Sequence, residues 1–426
     1  MNKIIFTLIA IMLGQNIFGQ TKMDIQQQLL QQYIGTWYTT DKIQDLSISN
    51  FPQIKMSATP KNHGNSLQVE VFRNINGNWK PLLTELIGFD NTTKQIVALG
   101  QNSNGDCFIG RGKFIDTQNW KMTDTDFNGD TTMTVLFKFK NNTEVQVKGL
   151  HANVKNDWEV KYIKQNPKDK NIGIQLVSVR EAMERDAETT LKLLSRMGYS
   201  YVETFVYNQG KFYGMSPLEF KQLVEKHDMR FEGSMTFKDL SKPENWKESI
   251  NWWKKCIDDH ANAGVKYLTT SNNQLKSVKT MNELQHFCNY YNAIGKMCQL
   301  KGIQFGIHNH TDEFLKVEGK TIYDYLLENT NPKLVSFQAD LYWMKEAQVN
   351  PIDYFNKYPK RFFSWHAKDD EEIGASGEIN FKSIYNHASI AGLNYNLVEV
   401  EKHNFDPFVS VDLSFQYMYY EICNEK

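Results

Sequence analysis

The feature that most constrains this chain is a change of hydrophobic period near residue 167. Before it, apolar residues recur at every second position. After it, short apolar runs alternate with amphipathic stretches of helical period. A period of two puts alternate side chains on opposite faces of a strand, whereas a period of 3.6 gathers them on one face of a helix. Two differently built domains are therefore expected, and 426 residues are enough for both at about 100–200 residues per domain.

The first domain is placed at residues 24–165. Clear alternation runs through Leu67-Gln68-Val69-Glu70-Val71-Phe72, Met133-Thr134-Val135-Leu136-Phe137, Val145-Gln146-Val147 and Trp158-Glu159-Val160-Lys161-Tyr162. Turn signals separate these runs: Asn62-His63-Gly64-Asn65, Asn76-Gly77-Asn78, Asn104-Gly105-Asp106 and Asn128-Gly129-Asp130. Alternation punctuated by Asn-Gly-type turns means antiparallel hairpins. About eight to ten short strands in roughly 130 residues predict a closed antiparallel barrel or a sandwich. Gly35-Thr36-Trp37, after a short helix, resembles the opening of calycin-type barrels, the lipocalin and fatty-acid-binding group. Such barrels can hold a small ligand; an appended domain of this kind can equally serve to pack or to bind a partner.

Gln165-Asn166-Pro167-Lys168-Asp169-Lys170-Asn171 reads as a polar linker. From residue 171 to 426 apolar runs begin near Ile172, Tyr201, Arg230, Val265, Ile303, Leu334, Arg361 and Tyr395. Helical stretches lie between them, such as Ala187 to Met197, Pro217 to Lys226, Asn245 to Ala263 and Met281 to Leu300. Eight strand–helix units of this total length predict an α/β fold, a (β/α)8 TIM barrel. Gly198, Gly264, Gly302 and Gly392 stand where helix C-caps are needed. An open doubly wound sheet is the alternative, but Ser178-Val179-Arg180-Glu181 follows the first strand where a GxGxxG phosphate loop would be required.

Composition bounds the partners. Forty-eight basic and 49 acidic side chains leave a net charge of −1, which gives no reason to expect nucleic acid or an anionic membrane. Five scattered cysteines with no CxxC pair argue against a disulfide framework and a structural zinc knot. Residues 1–20 read as a signal peptide: Met1-Asn2-Lys3, then an apolar run from Ile4 to Leu13 too short to span a bilayer, then Phe18-Gly19-Gln20. A buried amino-terminal helix is the other reading of that run. The expected mature protein is periplasmic or secreted, with no stable membrane insertion once the signal is removed. Self-association into a homo-oligomer is left open.

The chemistry lies at four successive strand ends. The fifth run reads Phe305-Gly306-Ile307-His308-Asn309-His310 and the sixth ends Gln338-Ala339-Asp340. The seventh ends Trp365-His366-Ala367-Lys368-Asp369 and the eighth ends Val398-Glu399-Val400-Glu401. His310 to Asp340 is 30 residues, Asp340 to His366 is 26 and His366 to Glu399 is 33, each about one strand–helix unit. The side chains thus return to the carboxyl ends of neighbouring strands, where functional groups of a TIM barrel gather. Imidazoles and carboxylates converging on one point suit a divalent metal such as Mn, Co, Zn or Fe. A single histidine there could instead be a hydrogen-bonded core residue. Asp340, His366 and Glu399 together resist that reading, because barrel interiors favour Val, Ile and Leu and buried unpaired charge is costly.

At these residues the chain resembles the xylose isomerase-like TIM-barrel superfamily of sugar phosphate isomerases and epimerases, from roughly Ile172 to Tyr419. The stretches that carry the resemblance are Gly173-Ile174-Gln175-Leu176, Gly198-Tyr199-Ser200-Tyr201-Val202-Glu203, His308-Asn309-His310 with Glu313-Phe314, Gln338-Ala339-Asp340-Leu341-Tyr342-Trp343, His366-Ala367-Lys368-Asp369 and Val398-Glu399-Val400-Glu401. The resemblance implies a metal held by Glu, Asp, His and Glu on strands five to eight. Asp340, His366 and Glu399 match the last three. Gly306 stands where the epimerases carry Glu, and either His308 or His310 is expected to replace it. The metal ligands are assigned as His310, Asp340, His366 and Glu399.

Isomerisation, epimerisation and dehydration of sugars begin with removal of a proton beside a carbonyl. Glu203 and His308 are assigned as catalytic acid/base groups, exchangeable with His310 if His308 is the ligand. Lys368 is assigned to the developing oxyanion, a salt bridge to Asp369 or Asp370 being its alternative use. Trp343, Tyr342 and Glu401 are assigned to substrate binding. Trp365, Phe205 and Tyr207 are placed near the same mouth, and Trp252-Trp253 in barrel packing. Export disfavours sugar phosphates as substrates. A small neutral carbohydrate is expected, either isomerised or epimerised, or cleaved as a 3-keto-glycoside by β-elimination. The alternative is a catalytically degenerate carbohydrate-binding protein. An endonuclease is disfavoured because the chain has no basic stripe for phosphates.

Overall fold

The computed structural model of the chain describes residues 24–40, 53–62, 65–153, 157–205, 207–240, 246–271 and 273–423. The signal-peptide segment, and His63 and Gly64 of the first turn signal, lie outside the described residues.

A helix at Ile25–Gln31, capped by Asp24 accepting from the Gln26 N–H, precedes the first barrel. Ten antiparallel strands follow: β1 Gly35–Thr39, β2 Ile54–Lys61, β3 Ser66–Ile75, β4 Asn78–Asp90, β5 Gln95–Asn102, β6 Cys107–Phe114, β7 Asn119–Thr125, β8 Thr131–Asn141, β9 Glu144–His151 and β10 Trp158–Gln165. Each pairs with its neighbour in sequence, and β1 joins β10 to β2, so the sheet closes as an up-and-down barrel. The closed-barrel branch of the expectation holds, and closure leaves no unpaired sheet edge. Asn76 and Gly77 both take positive φ (51° and 84°), which makes the two-residue turn between β3 and β4. Leu67, Val69 and Val71 face inward and the residues between them do not, as the period of two requires.

The second closed barrel is parallel: β11 Gly173–Gln175, β12 Tyr201–Thr204, β13 Arg230–Met235, β14 Tyr267–Thr270, β15 Gln304–His308, β18 Ser336–Asp340, β19 Phe362–Ala367 and β20 Tyr395–Val398. A small hairpin, β16 Lys316–Val317 and β17 Lys320–Thr321, lies outside it. The fold is a (β/α)8 TIM barrel, with helices at Ala187–Met197, Pro217–Lys226, Trp246–Asn262 and Met281–Leu300 as the pattern predicts. Gly198 caps the first of these with φ of 116°, a left-handed conformation that glycine adopts at little cost. Trp253 is fully buried in barrel packing and donates its indole N–H to the Tyr290 hydroxyl at 2.6 Å.

The floor of the parallel barrel explains three other glycines. A Cβ at Gly173 would meet the Tyr201 ring at 2.2 Å, one at Gly233 the Tyr267 ring at 1.9 Å, and one at Gly306 the Phe363 ring at 2.5 Å. Small and large residues therefore alternate around the interior. Tyr201, Tyr267, Phe363 and Leu397 form an apolar plug of their own. Above the plug the inward positions turn polar.

The two barrels meet at the helix that follows β20. The helix Pro407–Tyr417 brings Asp412 to Lys164 at the end of β10, 2.8 Å apart with both side chains fully buried. Asn142 donates to the Phe408 carbonyl at 2.8 Å, and Phe405 and Tyr420 pack on the first barrel's core. None of the five cysteines, all among the described residues, is in a disulfide. Among the described residues, no helix is long and apolar enough to cross a membrane.

Candidate active site

Period-two alternation on the parallel strands decides which side chains enter the barrel. Gln338 and Asp340 on β18 point in, as do Ser364 and His366 on β19 and Glu203 on β12. Their neighbours Ala339 and Trp365 point out. Trp365, placed at the mouth by the sequence reading, is instead fully buried on the outer side and stacked on Phe355 with centroids 4.6 Å apart. Tyr207 is also away from the site, donating its hydroxyl to Asp259 at 2.6 Å.

One ligand atom each from His308, Asp340 and His366 lies within 4.8 Å of the other two, and all three residues are buried. His308 and His366 each stand 4.0 Å from Asp340 Oδ2. Glu399 Oε2 comes to 2.5 Å from His366 Nδ1. Among the described residues, Asp340 Oδ2, His366 Nδ1 and Glu399 Oε2 are all buried without a hydrogen-bond partner. At 2.5 Å, His366 Nδ1 and Glu399 Oε2 are also within ion-pair distance of each other when the ring is protonated. Three orphaned donor atoms facing one another fit a shared divalent cation, since buried polar atoms without partners are otherwise costly.

The other atom of each group is tied down. Asp340 spends Oδ1 as the N-cap of the helix Leu341–Glu346, accepting from the Trp343 N–H at 2.9 Å. His366 Nε2 faces Glu203 Oε1 at 2.8 Å, and His308 Nδ1 faces Gln338 Oε1 at 3.0 Å. Bonds of this kind fix the tautomer and ring orientation of metal-binding histidines. Here they leave His366 Nδ1 and His308 Nε2 for the cation.

Glu203 is saturated. Its Oε1 also accepts from Gln175 at 2.6 Å, and its Oε2 accepts from Gln338 at 2.8 Å. Glu203, assigned as an acid/base from the sequence, is fully buried with Gln175, Gln338 and His366 around its two oxygens. The two histidines stand in different places. His308, the last residue of β15, joins the ligand atoms, whereas His310 lies beyond the strand, 5.7 Å from the Trp343 ring and 4.9 Å from His308. Burial holds both imidazoles below their ordinary pKa, with His366 reinforcing this at His308.

Lys368 donates to Glu399 Oε1 at 2.9 Å and to Glu401 Oε2 at 2.6 Å, and lies 4.8 Å over the Trp343 ring. Burial would strip its proton, but Glu399, Asp340 and Glu401 hold it charged. Among the described residues the ion pairs of Lys368 go to Glu399, Glu401 and Asp340 rather than to the alternatives: Asp369 accepts from its own loop at Asp370, Gly374 and Ser376, and Asp370 pairs with Lys402 at 3.0 Å. Burial lowers and Glu399 with Glu203 raises the His366 pKa, with a net rise to about 10. Glu399 is held well below the ordinary carboxylate range against its burial by His366 and Lys368, while burial raises Asp340. Tyr342 and Trp343 pack together at 5.0 Å on the same side.

Two groups escaped the sequence reading. Gln338 joins His308, Glu203 and Ser364 through one amide, and its position two residues before Asp340 on the same strand was the signal for it. Asn309 accepts from the Asp340 N–H at 3.1 Å and so fixes the end of β18 against β15. Gly306 lies a layer below the ligands, against Phe363, so His308 occupies the ligand level on this strand.

The family of xylose isomerase-like TIM barrels matches residues 191–412, a little over half of the chain. A sugar phosphate isomerase/epimerase from Parabacteroides distasonis ATCC 8503 superposes with a TM-score of 0.56 at 28% identity, covering 60% of this chain and 95% of that one. A second crystal structure of a sugar phosphate isomerase/epimerase from the same organism gives 0.56 at 27% identity, covering 60% and 99%. No curated protein matches the sequence. The second barrel thus has a fold of the sugar isomerase/epimerase type, and the chain belongs to the xylose isomerase-like TIM-barrel family.

Proposed function

We propose that this chain is an exported, divalent-metal-dependent enzyme that removes a proton beside a carbonyl of a small sugar or glycoside. The observation that carries the reading is the set of orphaned atoms at Asp340, His366 and Glu399 next to His308. These four residues would hold the metal, which could be Mn, Co, Zn or Fe. When bound, such a cation supplies Lewis-acid stabilisation of negative charge on adjacent substrate oxygens.

His310 takes the substrate proton: it is half-buried, burial lowers its pKa, and it stands between the ligand cluster and Trp343. Lys368, held charged, faces the developing oxyanion. Trp343 and Tyr342 offer ring faces to sugar C–H groups, and Glu401 a carboxylate to a hydroxyl. The same start serves isomerisation or epimerisation and, in a 3-keto-glycoside, β-elimination. There the electron pair of the broken C2–H bond forms a C1–C2 double bond, and the anomeric C–O bond breaks with its oxygen taking a proton. The signal-peptide reading supports a substrate met outside the cytoplasm. The up-and-down order supports a calycin-type first barrel.

The test is metal content and turnover together. The purified protein is expected to hold about one divalent ion per chain, lost in Asp340→Ala and His366→Ala. It is expected to turn over a 3-keto-glucoside or a ketohexose, and His310→Ala should keep the metal while losing turnover by about 10²–10⁴-fold. Retained metal in both ligand variants sinks the proposal. The second reading, a degenerate carbohydrate-binding protein, is favoured by one observation: Lys368 already brings a cation to Glu399 and to within 3.9 Å of Asp340. A metal-free protein that binds sugars without converting them would establish that reading.

A further inference from the structure

The first barrel encloses a cavity of about 890 Å³. Its wall is largely apolar and aromatic, with Tyr33, Phe108, Trp120 and Phe137 among the lining rings. Four carboxylates also line it, Glu85, Asp106, Asp124 and Asp126, and among the described lining residues there is no lysine or arginine. His151 is the only basic side chain in that lining.

The acids divide into two levels. Asp106 and Asp126 cap turns, accepting from the Asn102 side chain and from the Asn128 and Asp130 N–H groups. Glu85 on β4 and Asp124 on β7 sit inside the barrel. Asp124 is 7% exposed, and its carboxyl group has no hydrogen-bond or ion-pair partner of its own among the described residues. Gly110 makes room for it, since a Cβ there would meet Asp124 Oδ1 at 2.8 Å. Trp120, 1% exposed and stacked on Phe137 with centroids 4.3 Å apart, has an indole N–H without a partner. Burial, with Asp124 nearby, pushes Glu85 up to about 8, and burial pushes Asp124 up to about 6. The barrel thus carries uncompensated acidity in an apolar chamber walled by rings.

We propose that this cavity binds a small organic cation, an amine with an aromatic or otherwise apolar body. The ammonium group would sit between Glu85 and Asp124 and the body against the rings, where π faces also attract cations. A carboxylate ligand would meet like charge on Asp124, an ammonium would favour release of the proton that Glu85 otherwise holds, and a neutral ligand would leave both carboxyl groups without a charged partner. The site is independent of the chemistry in the second barrel.

Binding of 1-naphthylmethylammonium, 1-naphthylmethanol and 1-naphthoate to the full chain, measured by calorimetry and tryptophan fluorescence, tests the proposal. The amine is expected to bind at least about tenfold more tightly than the alcohol, and the carboxylate not to bind. Glu85→Gln and Asp124→Asn should each weaken the amine by about tenfold or more without changing the alcohol. Equal affinity for amine and alcohol in the unmodified protein, preferential binding of the carboxylate, or no binding of the amine would each overturn it. The comparison among probes needs no variant, so a misfolded substitution does not shield the proposal.

Discussion

Glu203 and His366 show how one residue can be read in two ways that experiment separates. If Glu203 only orients the imidazole, Glu203→Gln should weaken metal affinity by about 10–100-fold, as loss of such a partner usually does. Turnover at saturating metal should then stay within about tenfold of the unmodified enzyme, whereas loss of a base costs more. Chelator competition and rate measurement on one preparation check both. Glu85 sets a second residue-scale expectation, this one about pH. Its pKa rises on folding from the ordinary 4.5 to about 8. Between those values the folded chain holds a proton that the unfolded chain has released, so stability is full at the acid end and falls as pH rises. Urea midpoints should therefore decline from the acid to the alkaline end of that window, and Glu85→Gln should flatten the decline. A profile that rises with pH and is unchanged by the substitution would contradict this.

At the scale of elements, much was legible. Alternation along Leu67 to Val71 could only be a strand with one face inside, and the strands of the second barrel begin within two residues of the expected points. That Asp340, His366 and Glu399 come together was legible because each lies at or beside the carboxyl end of a strand, one unit after the last. The choice between His308 and His310 was not. Both share the parity of β15, but the strand stops at His308 and the chain leaves the pleat before His310. Nor could the sequence show that Glu203 lies below the ligands, because depth along a strand depends on barrel stagger. Trp365 was misplaced although its position between Ser364 and His366 already turned it outward. The glycine–aromatic floor also needed three dimensions. Gly306→Ala should cost about 1–3 kcal/mol through overpacking against Phe363, read by chemical denaturation. It should leave metal content intact, since the ligand layer lies above.

For the whole molecule, the decisive contact is Lys164 with Asp412. Burial alone would lower the Lys164 pKa and raise that of Asp412, and each partner opposes the shift of the other. Removing one partner strands the other, so Lys164→Met should destabilise the chain by about 3–5 kcal/mol. Replacing both with apolar residues should recover most of that loss, because well-packed isosteres often match a buried pair. Unfolding curves of the single and double variants decide it.

Because Asp412 lies 248 positions after Lys164, the lock also has a meaning during synthesis. Domains tend to form in order as a chain emerges, so the antiparallel barrel takes shape with a Lys164 ammonium that donates to the Gln32 carbonyl but has no carboxylate beside it. Only the arrival of the final helix neutralises it. A polypeptide truncated before Pro407 would display that defect permanently, which makes the finished carboxyl-terminal helix a condition for the amino-terminal half to reach its full stability.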